Sequence, residues 1–138
     1  MPIIIDGWNL IRNSSSEIDD ADMESLDSAD CLIARLARFQ ETRADPIILV
    51  FDSRREYLGL SYRNNPKLTV VPSRDADRYI KRYIDAVPER QRRNLRVVSS
   101  DNEIYFYAKS SYATPVRSEE FWGKLKRSRN GRGADVQG

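Results

Sequence analysis

The stretch Pro2-Ile3-Ile4-Ile5-Asp6-Gly7-Trp8-Asn9 decides the fold class. Three β-branched residues run without polar alternation into an acid and a glycine. A strand with one wet face alternates, whereas a strand covered by helices on both faces reads as a continuous apolar run. The same signature returns at residues 46–51, 68–71 and 95–98, with 114–117 as a weaker fifth. Helical patterns fill the gaps. Leu26, Ala29, Ile33, Leu36 and Phe39 mark a helix of about 18 residues. Ala76, Ile80, Tyr83, Ile84 and Val87 mark a second, stopped by Pro88. Tyr105, Phe106 and Ala108 predict a short third, and Ser118-Glu119-Glu120 opens a fourth with acids at the positive end of its dipole. Strands separated by helices require crossovers, hence an α/β fold with a mostly parallel sheet of about five strands and helices on both faces.

The chain has 138 residues, the size of one domain. The pattern places that domain over residues 1–124, followed by a basic, glycine-containing tail at 125–138 that is expected to fray. No apolar run approaches a membrane span, and the N-terminus lacks the basic-then-apolar pattern of a leader, so a cytoplasmic protein is expected. Histidine is absent. Its absence excludes Ser-His-Asp and Cys-His catalysis and every His-containing zinc site. Cys31 is the single cysteine, so no internal disulfide or thiol cluster can form, and it reads as a small packing residue of the first helix. The net charge of +2 conceals a split: residues 1–30 carry −7 and residues 31–138 carry +9, with arginine supplying 18 of the 23 bases. Such an arginine excess suits bidentate phosphate contacts, although it also serves as a soluble surface.

In an open α/β sheet, ligands bind beyond the carboxyl ends of the strands. Asp6 follows the first strand, Asp52 the second and Asp101 the fourth; Asp75-Ala76-Asp77 lies just past the third. A lone aspartate in such a place is ordinarily a helix cap or turn residue. Four strands delivering acids to one edge admit a second reading, because carboxylates that converge repel unless a cation sits among them. With no histidine or thiol cluster, only oxygen ligands remain, and these suit Mg²⁺ or Mn²⁺ acting on a phosphate ester. Such an ion acidifies a coordinated water and offsets charge on a departing oxygen, with no need of histidine. Pattern alone leaves both readings open.

The ordered set Asp6-Gly7-Trp8-Asn9, Val50-Phe51-Asp52, Asp75-Ala76-Asp77-Arg78 and Val97-Val98-Ser99-Ser100-Asp101 resembles the YacP-like NYN-domain proteins of the PIN-like nuclease superfamily. The resemblance spans roughly residues 2–122. It implies a Rossmann-like sheet and a metal-dependent endoribonuclease, with Asp6, Asp77 and Asp101 holding the ion. It also implies that Asn9 organises the site, that Asp52 is an outer ligand or supporting group, and that Ser99 supports the last motif, with Asp75 and Asn102 beside it. The implied substrate is single-stranded RNA; some members of the family cut mRNA, including on ribosomes. Two departures stand out. Trp8 replaces the usual tyrosine of the first motif, leaving base stacking and core packing both open, and Asp75 replaces a small or Thr-like residue, most simply as a helix cap. The acidic segment 17–30 would repel RNA or gather cations if near the site, and would be solvated surface if not; it lacks the glycine and closing glutamate of an EF-hand.

Backbone contacts to RNA are expected from Arg54 and Arg55, next to Asp52, and from Arg63 and Arg74 in nearby loops. Tyr57 and Tyr62 share a loop with these arginines and are the preferred stacking platforms over Tyr105 and Tyr107. Arg90, Arg92, Arg93 and Arg96 precede the fourth strand, so they belong to the opposite edge as solvated surface or a protein or ribosome contact. The competing reading is a non-catalytic RNA- or ribosome-binding module on the same fold. A haloacid-dehalogenase-type phosphatase would need a second aspartate where Trp8 stands, and a receiver domain would need an acidic pair after the first strand.

Overall fold

The computed structural model describes residues 1–14, 26–52 and 66–126. The five apolar runs are strands: β1 (Ile3–Asp6), β2 (Ile47–Asp52), β3 (Leu68–Ser73), β4 (Arg96–Val98) and β5 (Thr114–Val116). They form one sheet in the order β3-β2-β1-β4-β5, and every pair of neighbours is parallel. Ile3 pairs with Ile47 on one side and Arg96 on the other, which makes β1 the central strand. From β1 the chain steps outward through β2 to β3, then crosses back to β4 on the other flank. That reversal opens a crevice beyond the carboxyl ends of β1 and β4, the ligand position of open α/β sheets.

The helices are α1 (Gly7–Arg12), α2 (Leu26–Phe39), α3 (Ala76–Ala86), α4 (Asn102–Ser110) and α5 (residues 118–126). Alternate strand residues feed two cores, as the two-residue period of a strand requires. Ile3, Ile5, Leu49, Phe51 and Val98 pack against Leu10, Leu36 and Phe121 of α1, α2 and α5. Ile4, Val50 and Val97 pack against Ile80, Ile84 and Ile104 of α3 and α4. Asp6 lies two steps beyond Ile4, so its side chain falls on the α3–α4 side. This parity, set by the three isoleucines Ile3, Ile4 and Ile5, aims the carboxylate at the N-terminal turn of α3.

Several local features arise from single residues. Val87 adopts extended geometry before Pro88, which ends α3 at Ala86. Of the arginine cluster, Arg90, Arg92 and Arg93 lie on a 3-10 turn (Glu89–Asn94) and Arg96 opens β4, so the cluster sits at the amino end of that strand, away from the acids as expected. Within it, Arg92 Nε donates to the Val87 carbonyl at 2.9 Å and closes the end of α3. Leu125 is buried, so α5 keeps its core contact to near the end of the described residues. Among those residues, no helix is long and apolar enough to cross a membrane.

Two expectations change. Cys31 is exposed and not a packing residue, because the buried stripe of α2 runs through Ala29, Leu32, Ile33 and Leu36, and Cys31 falls off it. The predicted 18-residue helix is a 14-residue α2 continued by a 3-10 turn (Gln40–Thr42), and a separate short helix, α1, follows β1 directly. A six-residue helix is not stable on propensity; α1 is held by burial of Trp8, Leu10 and Ile11. Trp8 is spent on the core: its ring lies 4.6 Å from that of Phe51, and Nε1 donates to the Asp52 carbonyl at 2.7 Å.

Gly7 lets α1 approach so closely. A Cβ there would lie 2.6 Å from Phe51 Cε1 and 3.0 Å from the Val50 carbonyl, and the Phe51 ring is fully buried with nowhere to move. Gly7→Ala is therefore expected to lower stability by about 2 kcal/mol through overpacking. A urea denaturation midpoint equal to that of the unmodified chain would refute this account of the α1–β2 contact.

Candidate active site

Each acid at the carboxyl edge is placed by the element before or after it. Asp6 ends β1 and is 7% exposed. It precedes α1 but makes no side-chain capping bond. The fully buried Ser99, just past β4, donates its hydroxyl to Asp6 Oδ2 at 3.3 Å and accepts from the Asp101 amide at 3.1 Å. Ser99 thus ties the end of β1 to the start of α4. Asp101 caps α4: its Oδ1 accepts from the amides of Glu103 (2.8 Å) and Ile104 (3.4 Å). Asp75 caps α3 by accepting from the Arg78 amide at 3.1 Å, the cap role expected of it. This leaves Asp77 in the first turn of α3, where the helix dipole favours its charge.

These carboxylates act on one another. Burial, then repulsion from Asp77, pushes Asp6 up to a pKa of about 6, against the Ser99 hydroxyl, Arg12 and the Asn9 backbone N–H, which favour its charged form. Asp77 is raised too, first by burial, then by Asp101, Glu103 and Asp75; Lys81 opposes the rise. The sheet edge therefore holds a chain of mutually repelling acids running from Asp6 through Asp77 to Asp101. Glu103 joins it from α4, and its own carboxylate is held at 2.9 Å by Lys81 of α3. A second α3–α4 tie sits beside this pair, where the Tyr107 hydroxyl donates to Asp85 at 2.7 Å.

Asn9, in α1, is the hub of the opposite wall. Its Oδ1 accepts from the Ser118 hydroxyl at 2.7 Å, the Ser100 amide at 2.8 Å and Asn13 Nδ2 at 3.3 Å. Ser118 opens α5, and its amide donates to the Ser100 hydroxyl, which in turn donates to Glu119 at 2.7 Å. That hydrogen bond holds the Glu119 carboxyl below its usual range. Arg117 reaches the Ser100 carbonyl and Asn102 Oδ1 and lies 3.7 Å over the Tyr105 ring.

The predicted residues divide accordingly. The structure brings Asp6, Asn9, Asp77, Ser99 and Asp101 to one edge and supplies Asp75 as a cap. Asn102 is drawn instead to Arg117. Asp52 stands at the end of β2 beyond the Asp6–Val50 pairing and is not among the charges that shift Asp6. Its buried Oδ1 has no hydrogen-bond partner among the described residues. Arg74 is exposed between β3 and α3. Arg54, Arg55, Tyr57, Tyr62, Arg63 and most of the acidic segment 17–30 lie outside the described residues. Ser100, Arg117 and Ser118 were not expected from the sequence. Arg117 and Ser118 come directly after the β5 run, at the same carboxyl edge as the acids, and that position is the signal that could have found them.

The donor set is all oxygen, and its repulsion is of the kind a hard divalent cation relieves. In that respect the residues fit such an ion. Among the described residues, no group of three or more acids is drawn close enough together to hold one as they stand.

A parallel five-stranded sheet of this order with an acidic carboxyl edge is a PIN-like α/β fold. The chain belongs to the YacP-like NYN domain family, whose profile matches residues 3–137; NYN domains are part of the PIN-like nuclease superfamily. The crystal structure of Rae1 (YacP) from Bacillus subtilis superposes with a TM-score of 0.73 at 18% identity, covering 99% of this chain and 80% of that one. A tryptophan-to-leucine mutant of that protein gives 0.75 at 20% identity, covering 99% and 82%. At such identities the likeness concerns the fold. No curated protein matches the chain by sequence.

The raised Asp6 carries a pH signature. Its folded pKa of about 6 lies above the unfolded value, so the folded chain binds the proton more tightly and loses stability as pH rises from about 4 to 6. With metal chelated, Asp6→Asn is expected to be the more stable protein at pH 7.5, by on the order of 2 kcal/mol, and to match the unmodified chain below pH 4. Urea midpoints at the two pH values check this; a variant less stable at pH 7.5 would contradict it.

Proposed function

We propose that the chain is a divalent-metal-dependent endoribonuclease that hydrolyses phosphodiester bonds of single-stranded RNA with Mg²⁺ or Mn²⁺. The observation that carries this reading is the mutual repulsion of Asp6, Asp77 and Asp101 at the sheet edge, which Arg12 and Lys81 do not cancel. Family membership supports it independently. A bound divalent ion supplies Lewis acidity toward phosphate and acidifies a coordinated water.

The chain's own residues then have separate tasks. Asp6, Asp77 and Asp101 would hold the ion; Asp101 Oδ1 is also engaged by the α4 amides. Ser99 fixes the Asp6 carboxylate, and Asp75 sets the start of α3 and hence Asp77. Asp52 supports the site from β2. Arg54, Arg55, Arg63 and Arg74 are assigned to RNA phosphates, and Tyr57 and Tyr62 to unpaired bases, from their places in the sequence. Cytoplasmic action on mRNA, including at ribosomes, belongs to this same reading.

One observation favours a second reading, a non-catalytic RNA- or ribosome-binding module: among the described residues the acids are not drawn tightly together. A single assay separates the two. The unmodified chain is expected to cut a labelled single-stranded RNA only with Mn²⁺ or Mg²⁺, and Asp6→Asn and Asp101→Asn to lose at least about 100-fold in rate while remaining folded by circular dichroism. Binding without metal-dependent cleavage would favour the module, and undiminished cleavage by Asp101→Asn would remove that residue from the site.

A further inference from the structure

The Asn9 side chain can face only one way. The Ser100 backbone N–H cannot accept a hydrogen bond, so the atom 2.8 Å from it must be the Asn9 oxygen. The Ser118 hydroxyl at 2.7 Å and Asn13 Nδ2 at 3.3 Å converge on the same atom. An amide oxygen has two lone pairs, and three donors already occupy them. That oxygen has no capacity left for a cation. The amide nitrogen is then turned away from all three, with its N–H groups free of any acceptor among the described residues.

The surroundings give this nitrogen a meaning. Asn9 stands three residues after Asp6, and its oxygen is bound to the Ser100 amide, one residue before Asp101. The acids of that edge, Asp6, Asp77 and Asp101, are acceptors when ionised and repel a phosphate. A neutral N–H donor held at the same carboxyl edge is a group that an RNA oxygen can use without adding charge to the site. Resting on the nuclease reading above, we propose that Asn9 is a substrate-contacting residue whose Nδ2 donates to a phosphate or ribose oxygen of RNA, and that it is not a metal ligand. Ser118 is its positioning residue. It is fully buried at the start of α5, and it reaches Asn9 across 109 positions of sequence. Its own amide is anchored on the Ser100 hydroxyl. The α5 start and the β4–α4 turn together clamp one side-chain amide.

Asn9→Asp is the discriminating variant. It keeps an oxygen for the three donors, so the clamp survives, but it removes the N–H donor and adds a charge; Asn9→Leu, which removes the donor without adding charge, is measured beside it. Binding of a fluorescent single-stranded RNA is measured by anisotropy in the cleavage-silent Asp6→Asn background, with and without Asn9→Asp. Mn²⁺ affinity is measured by calorimetry on the otherwise unmodified chain and on Asn9→Ala. The expected results are RNA binding weakened at least fivefold by Asn9→Asp and by the uncharged Asn9→Leu, and Mn²⁺ affinity within twofold for Asn9→Ala. Ser118→Ala is expected to raise KM severalfold with kcat held. Undiminished RNA binding by either Asn9→Asp or Asn9→Leu would overturn the donor role, and a tenfold loss of Mn²⁺ affinity in Asn9→Ala would make Asn9 a ligand instead. An unchanged KM in Ser118→Ala would remove the positioning role. If the Asp6→Asn protein and the unmodified chain both fail to bind RNA, the nuclease reading itself falls; if they bind and Asn9→Asp binds equally, only this inference does.

Discussion

Asp6 ends the central strand of the sheet, and its carboxylate is buried there against its own charge. The position is dictated by the chain's first element: Ile3, Ile4 and Ile5 must be covered on both faces, and the strand parity then sends Asp6 toward α3 and α4. Asp77 waits in the first turn of α3, with Asp101 opening α4. A fold selected for stability alone would place a neutral residue at the end of β1. Burial and the neighbouring Asp77 raise the Asp6 pKa, which is what the arrangement costs in stability at neutral pH.

The remainder of the edge is organised to hold these acids still. Ser99 binds Asp6 and the Asp101 amide with one hydroxyl. Asp75 and Asp101 set the starts of two helices on the same side of the sheet. The Lys81–Glu103 pair and the Tyr107–Asp85 hydrogen bond link those helices. On the other wall, Asn9 joins α1, the β4–α4 turn and α5 through a single oxygen. Both walls therefore meet at β1 and β4, the point where the strand order reverses.

Much of this was legible in the sequence because the physics is local. A parallel strand buried on both faces writes itself as an apolar run, and all five runs are strands. An acid placed just after such a run must lie at the carboxyl edge, and Asp6, Asp77 and Asp101 do. What was illegible depends on contacts far apart in sequence. Helix α1 exists through burial of Trp8, Leu10 and Ile11 and shows no propensity signal. Cys31 sits inside a helical pattern but one position off its buried stripe. The Asn9–Ser118 contact has no local signature at all, and Asn102 is claimed by Arg117. The charge total of +2 also changes meaning: part of the negative charge is gathered at one edge, where a cation would offset it, and arginine dominates the rest.

The central claim is that this edge is built around a cation it needs for its charge balance. Thermal unfolding at pH 7.5 with increasing Mn²⁺, on the unmodified chain and on Asp6→Asn, tests it most directly. The account predicts that Mn²⁺ raises the unmodified chain's Tm by several degrees, as ligand linkage requires, and leaves Asp6→Asn almost unmoved. Equal gains in both proteins, or none in either, would contradict it.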